Sequence, residues 1–267
     1  RAYRFLLLFI VALILFGSYF AYDSLGAIST QLIDALKLDR TAISNSYSMY
    51  SIAAIFTVLL GGILIDRLGT RSASLLFSGL VCLGTGLVAL TRRLPVIYLG
   101  RLIFGAGAES LAVAQNAMLA RWFRGKELAL AFGLTLAVSR LGTLFTFNTE
   151  ALIAKHFGSY SYALWAALLL CLLSLLANFV YVAMDKRGER LLDLPSPGAG
   201  DRISFADLKR FGPSYWYVTL LCVTIYSAVF PFTGLSTDFF QSKWKIPPTP
   251  EGDTFEEALE MIKDAMA

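Results

Sequence analysis

Runs of about 20 apolar residues dominate the sequence, separated by short connections that contain charged residues or glycine. An α-helix rises 1.5 Å per residue, so a run of this length crosses the roughly 30 Å hydrocarbon core of a bilayer. The runs predict seven spans, at residues 5–32, 44–65, 72–91, 95–120, 127–154, 160–184 and 214–240. The sequence therefore predicts an all-α integral membrane protein.

Composition agrees with this class and excludes others. Hydrophobic residues make up 57% of the chain and charged residues 16%, whereas a soluble domain carries about 25% charged residues. A soluble enzyme is therefore excluded, and with a net charge of +4 we expect no nucleic-acid partner. The cysteines, Cys82, Cys171 and Cys222, lie inside apolar runs, where a thiol behaves as a small hydrophobic group.

The distribution of Lys and Arg predicts the orientation, because basic loops resist translocation. The N-terminus and the connections after spans two, four and six carry thirteen Lys and Arg residues, and the other connections carry five. We therefore expect the N-terminus and residues 185–213 to be cytoplasmic.

The order of the spans predicts four regions. They are a six-helix transmembrane bundle at 1–184, a cytoplasmic linker at 185–213, a seventh transmembrane helix at 214–240, and a soluble tail or insertion on the non-cytoplasmic side at 241–267. The tail contains a candidate amphipathic helix from Thr254. Six spans, a linker and one more span suggest a chain cut in mid-protein, with a second bundle missing.

Ionisable residues inside the spans are functional candidates, because each costs about 2.5–3.5 kcal/mol to insert. Four stand out: Asp23, Arg101, Glu109 and Arg140. Glu109 and Arg140 each lie 12 to 15 residues from both ends of their spans. An acid and a base are thus expected at one depth, near the membrane midplane, on consecutive helices.

Two interpretations of this acid and base stay open. They could form a structural ion pair inside the bundle. Alternatively, Glu109 could bind the ammonium of a zwitterion while Arg140 binds its carboxylate, with Asn116 on the same helix face as Glu109 contacting the backbone. Secondary transporters bind their substrates at this depth.

Asp23 and Arg101 lie in the outer thirds of their spans and are predicted to pair across the non-cytoplasmic mouth. The pair would act as a gate if it breaks and reforms, or as a static tie between helices. Tyr22 and Tyr50 are candidate substrate contacts near the same level, although tyrosines are common at membrane interfaces.

The connection between spans two and three contains the pattern GxxxDRxGxR, formed by Gly62, Asp66, Arg67, Gly69 and Arg71. Glycine permits a tight turn and a close approach of two helices. The charges can interact with neighbouring helix ends.

This pattern resembles the loop motif of the major facilitator superfamily, and the string GRLIFGAGAES at 100–110 resembles its fourth-helix motif. Thr70 departs from the loop motif, where a basic residue is common. Within the superfamily the chain is most similar to the major facilitator domain-containing protein 1 group, the lysosomal dipeptide transporters. The segments that carry this similarity are 17–24, 100–116, 122–134, 139–142 and 228–235.

The resemblance implies two six-helix bundles around a central cavity whose access alternates between the two sides of the membrane. It implies that Glu109 receives the amino terminus of a peptide and Arg140 its carboxylate. It also implies a lysosomal membrane and a glycosylated accessory membrane protein, while the residues fit a bacterial inner membrane equally well.

The favoured function is a secondary transporter or uniporter for dipeptides or similar zwitterions, with proton coupling left open. The alternatives are an organic-anion carrier that uses Arg140 and Arg101, and a membrane scaffold or receptor that transports nothing. No catalytic residue, metal site or cofactor is expected, because the chain has one His and no phosphate-binding glycine loop.

Overall fold

A computed structural model describes residues 2–123, 125–192 and 211–244. Its helices in chain order are α1 (Ala2–Ala27), α2 (Ser29–Leu36), α3 (Arg40–Leu90), α4 (Leu94–Trp122), α5 (Lys126–His156), α6 (Tyr160–Leu192) and α7 (Pro213–Trp244). All except α2 contain a stretch long and apolar enough to cross a membrane. The expected all-α membrane fold is confirmed.

Helix α3 contains two of the predicted spans. Gly69, at φ 77° and ψ 153°, interrupts the helical backbone, in a region of conformational space that essentially only glycine occupies. The break defines a first arm of α3 (40–68) and a second arm (70–90), about 44 Å and about 32 Å long at 1.5 Å per residue. The glycine predicted to permit a turn is therefore the point where the chain reverses.

Both arms of α3 pack on α4, in opposite directions. Along the first arm, Tyr50 lies against Gly105 and Thr57 lies against Ser110. Along the second arm the order is inverted, since Phe77 lies against Gly107 whereas Gly84, later in the chain, lies against residues 100–104 of α4. A Cβ atom at Gly105 would lie 2.5 Å from the Tyr50 carbonyl oxygen, so this close approach requires glycine.

Helix α1 joins the other half of the bundle. It runs parallel to α5, with hydrogen bonds from Thr146 to the Phe20 carbonyl oxygen and from Ser24 to Glu150. It runs antiparallel to α6, where Ser174 donates to the Leu13 carbonyl oxygen and Tyr3 donates to that of Met184. These polar contacts add to a buried apolar core shared by α1, α3, α4, α5 and α6.

A charged cluster lies at the end of the bundle that holds the α3 reversal, hereafter the basic end. The Asp185 carboxylate is completely buried and accepts bonds of 2.6 Å from Arg71, 2.6 Å from Arg121 and 2.7 Å from the Trp122 indole. Glu189 also accepts a bond from Arg71. The cluster joins α3, α4 and α6.

In the described part of the chain, helix α7 contacts the bundle from its middle to its C-terminal end. Arg40, at the start of α3, donates a 2.6 Å hydrogen bond to Ser242, and Phe230 contacts the Tyr22 ring at 6.1 Å between centroids. The first half of α7 is exposed along its length. Its apolar side chains therefore face lipid or further protein.

Several predicted boundaries differ from the helices. The predicted span 5–32 breaks at Ile28, whose ψ of 19° is not helical, so α2 is a separate short helix. Helix α6 continues eight residues beyond the predicted end at 184, because Asp185 and Glu189 are satisfied by arginines of neighbouring helices. Most of the predicted linker, and the predicted helix from Thr254, lie outside the described residues.

Candidate functional site

A cavity of about 280 Å³ opens between α1, the first arm of α3, α4 and α7. This volume is close to the lower limit of about 300 Å³ for small-molecule pockets. Its lining is mostly apolar and aromatic, with one charged side chain. The lining residues are Leu15, Ser18, Tyr19, Tyr22, Tyr50, Ser51, Ala54, Ile55, Ala108, Glu109 and Phe230.

Glu109 is the charged side chain that lines this cavity. The hydroxyl of Tyr50 donates a short hydrogen bond to Glu109 Oε1. Tyr50 is itself buried, packed on Phe104 with 5.8 Å between ring centroids. The tyrosine therefore fixes one oxygen of the carboxylate and leaves the other available to a ligand.

Arg140 approaches the same cavity from α5. Its guanidinium carbon lies 4.9 Å from the ring centroid of Tyr19 and 5.9 Å from that of Phe230, and both rings line the cavity. The charges of Arg140 and Glu109 both act on Tyr19. Within the described residues no ion pair joins Arg140 to Glu109.

Arg101 occupies a different environment, which the sequence did not predict. It is only 2% exposed, and its guanidinium carbon lies 4.8 to 5.5 Å from the ring centroids of Tyr22, Tyr47, Tyr50 and Phe104. Nη1 donates a long bond of 3.4 Å to the Tyr22 carbonyl oxygen, and Nε and Nη2 have no partner in the described part of the chain. An aromatic cage thus stabilises this cation in place of a carboxylate.

The predicted contact between Asp23 and Arg101 is not formed. Asp23 is buried and accepts a 2.6 Å hydrogen bond from Thr143 of α5. The aromatic rings surround the guanidinium of Arg101, and across the described residues no hydrogen bond or ion pair connects it to Asp23. The role of the two residues as a gate remains a prediction.

The other predicted residues are divided. Asn116 is exposed and is absent from the cavity lining. Of the loop motif, Gly62 is buried and Arg71 belongs to the charged cluster around Asp185, whereas Asp66 and Arg67 are exposed. The structure thus brings Glu109, Arg140, Tyr22 and Tyr50 together and leaves Asn116 outside.

Two buried acids were missed. Glu150 lies inside the predicted span 127–154 but only five residues from Lys155, and Asp185 follows the predicted end of span six. A position near the end of a span is typical of a charged side chain that reaches water. A count of Asp and Glu near the span ends would have identified both as candidates. No group of three possible metal ligands occurs among the residues described.

The sequence matches a family model described as Major Facilitator Superfamily over residues 9–244. The chain belongs to this superfamily. The proposed resemblance at the level of the superfamily is therefore confirmed.

The chain is also similar in sequence to individual proteins. The chain is 37% identical to the lysosomal dipeptide transporter MFSD1 of Danio rerio, over 92% of this chain and 56% of that protein. The chain is also 37% identical to the Homo sapiens protein of the same name, over 91% of this chain and 55% of that protein. The chain spans about half the length of the curated relatives it matches.

A solved structure of another transporter has a similar fold. A crystal structure of an auto-inhibited POT family peptide transporter aligns with a TM-score of 0.61 and 15% sequence identity, over 97% of this chain and 53% of that chain. At this identity the likeness concerns the fold alone.

Proposed function

We propose that this protein moves dipeptides or similar small zwitterions across a membrane by alternating access, as a secondary transporter or uniporter. The observation that carries the proposal is the arrangement around Tyr19. Its ring lines the cavity with Glu109, and the guanidinium of Arg140 lies over it. An anion and a cation thus flank one cavity without neutralising each other.

The two groups suit the two ends of a peptide. A carboxylate held by one tyrosine retains acceptor capacity for an ammonium. A guanidinium offers parallel N–H donors to a carboxylate. The name of the similar proteins from Danio rerio and Homo sapiens, lysosomal dipeptide transporter, points to the same substrate class.

The organic-anion alternative requires a second cation at the cavity. Arg101, the residue assigned to that role, instead lines a separate small cavity between α1, α3, α4 and α6. Aromatic rings surround it. The scaffold or receptor alternative predicts binding without transport, and an uptake measurement distinguishes it.

The test is uptake by the protein in liposomes of a free dipeptide, its N-acetylated form, its C-amidated form and a dicarboxylate. We expect the free dipeptide to be preferred. Glu109→Gln should abolish the preference for a free amino end, and Arg140→Ala the preference for a free carboxylate. Glu127→Gln and Arg187→Ala, both at exposed positions, are the matched charge controls and should behave like the wild type.

Two results contradict the proposal. If dicarboxylates enter and Glu109→Gln is tolerated, the site binds anions. If no compound enters while the dipeptide still binds, the protein is a receptor.

The remaining assignments belong to this proposal. The lysosomal relatives support a lysosomal membrane, with a bacterial inner membrane as the alternative. We place the N-terminus in the cytoplasm and divide the chain into four regions. They are the six-span bundle, extended from the expected end at 184 to the end of α6 at Leu192, the linker that follows it, helix α7 and the tail after Trp244. The second bundle and a glycosylated accessory membrane protein are the proposed protein partners, and the bilayer surrounds the spans.

A further inference from the structure

Glu150 is a buried acid that the transport site does not use. It lies on α5, seven residues after Thr143, and is 0% exposed. The hydroxyl oxygen of Ser24 lies 2.6 Å from Glu150 Oε1 and 2.6 Å from Oε2. A single serine therefore contacts both carboxyl oxygens and joins α5 to α1.

No positive charge accompanies this acid in the described part of the chain. Its electrostatic interactions with ionisable groups are with Asp23 of α1 and with the buried thiol of Cys171 of α6. Arg101 of α4 and Arg140 of α5 act instead on Asp23. Among the described residues, Glu150 thus has one neutral donor, two acidic groups nearby and no cation in contact.

An ionised carboxylate in this setting would be very unfavourable, because a buried charge requires a counter-charge or several donors. A neutral carboxyl avoids this cost. It also fits the two equal distances, since its carbonyl oxygen can accept the Ser24 proton while its own O–H donates to the Ser24 oxygen.

We propose that Glu150 carries a proton in the folded protein, so that Glu150 and Ser24 form a neutral, acid-dependent clasp between α1 and α5. The ligand of this site is a single proton. The site is separate from the cavity of Glu109, and the inference does not depend on which substrate is transported.

The position of the clasp gives the proton a structural effect. Helix α1 supplies Tyr19 and Tyr22 to the cavity, and α5 supplies Arg140. Loss of the proton would leave a negative charge without a counter-charge beside the Asp23 carboxyl in a buried interface, which is unfavourable. The contact between α1 and α5 should therefore weaken as the pH rises.

Infrared spectroscopy of the folded protein tests the protonation directly. At neutral pH we expect a carboxylic C=O band that shifts in D₂O and is lost in Glu150→Gln. The band should remain in the control Glu127→Gln, whose side chain is exposed and paired with Arg4. A spectrum unchanged by Glu150→Gln overturns the proposal.

Ser24→Ala keeps the test decisive if Glu150→Gln does not fold. This variant retains the acid and removes its hydrogen-bond partner, so the band should move to higher frequency. An unmoved band would show that the protonated group, if any, is not Glu150.

The dependence of stability on pH provides a second readout. In the unfolded chain a solvated glutamate loses its proton above about pH 4.3, while folded Glu150 keeps it. The folded-to-unfolded ratio should then fall with rising pH, by up to about tenfold per pH unit for one proton. Glu150→Gln should remove the part of this pH dependence that is due to Glu150. Equal pH slopes in the wild type and the variant contradict the clasp, whatever the uptake assay shows.

Discussion

At the scale of single residues, the orientation of Glu109 depends on one hydroxyl group. Tyr50 donates to this carboxylate and is itself held by burial and by ring contacts with Phe104 and Tyr22. Tyr50→Phe keeps the ring and its packing but removes the donor. A hydrogen bond to a charged group contributes about 1.5–3 kcal/mol, so we expect uptake of a free dipeptide at low concentration to fall roughly tenfold, with normal folding.

The matched control for this prediction is Tyr217→Phe, because Tyr217 is 73% exposed on α7. It should leave uptake unchanged. If Tyr50→Phe transports like the wild type, then Glu109 does not need this donor in order to bind the amino end of a substrate.

Asp185 is the single residue on which the charged cluster at the basic end depends. It balances Arg71 and Arg121, both largely buried. Removing one partner of a buried ion pair costs about 3–5 kcal/mol. Asp185→Asn should therefore lower the melting temperature markedly, in a thermal unfolding measurement in detergent.

The control for Asp185→Asn is Glu127→Gln, which removes an acid from the partly exposed pair with Arg4. Exposed pairs contribute about 0.2–1 kcal/mol, so the shift should be small. Similar shifts in the two variants would mean that the cluster around Asp185 is hydrated and contributes little.

At the scale of elements, the reversal of α3 depends on one glycine. Gly69 has φ 77°, and a residue with a Cβ atom would be strained there by about 1–3 kcal/mol. Gly69→Ala should thus reduce the melting temperature in detergent. Gly133→Ala is the control, since α5 has open space at that position and alanine favours a helix. If the two variants have the same melting temperature, the reversal does not require glycine at position 69 and depends instead on the flanking charged residues.

The spans themselves could be predicted because bilayer thickness fixes the length of an apolar helix. The break at Ile28 could not be predicted, because an apolar residue between two helices does not lower the hydropathy of the segment. The depth of Glu109 and Arg140 follows from counting residues along a helix. Their separation by Tyr19, and the cage around Arg101, depend on how each helix is rotated about its axis, which a span count does not determine.

The same distinction explains the residues that were missed. Glu150 lies near the end of a span, where a charge commonly reaches water, yet α1 covers it with Ser24. The burial of Asp185 depends on arginines from α3 and α4. In both cases a side chain from a distant part of the sequence decides the environment.

At the scale of the whole molecule, the basic residues are separated between the two ends of the bundle. Exposed Arg67, Lys186 and Arg187 lie at the basic end, and exposed Arg92 and Arg93 lie at the opposite end. The N-terminus and the connections on the side of the basic end carry thirteen Lys and Arg residues, against five in the other connections. This excess of basic residues predicts that the basic end faces the cytoplasm. The linker after α6 and the N-terminus would then lie on the cytoplasmic side.

Labelling with a membrane-impermeant maleimide tests this orientation in intact lysosomes or sealed right-side-out cells. The background is Cys222→Ser, because Cys222 is exposed whereas Cys82 and Cys171 are buried. In cells, Arg93→Cys should react at once and Arg67→Cys only after permeabilisation. In lysosomes the cytoplasmic side faces the reagent, so the two should exchange behaviour. The reverse pattern in both preparations would place the basic end outside the cytoplasm and would show that the charge bias does not orient this chain.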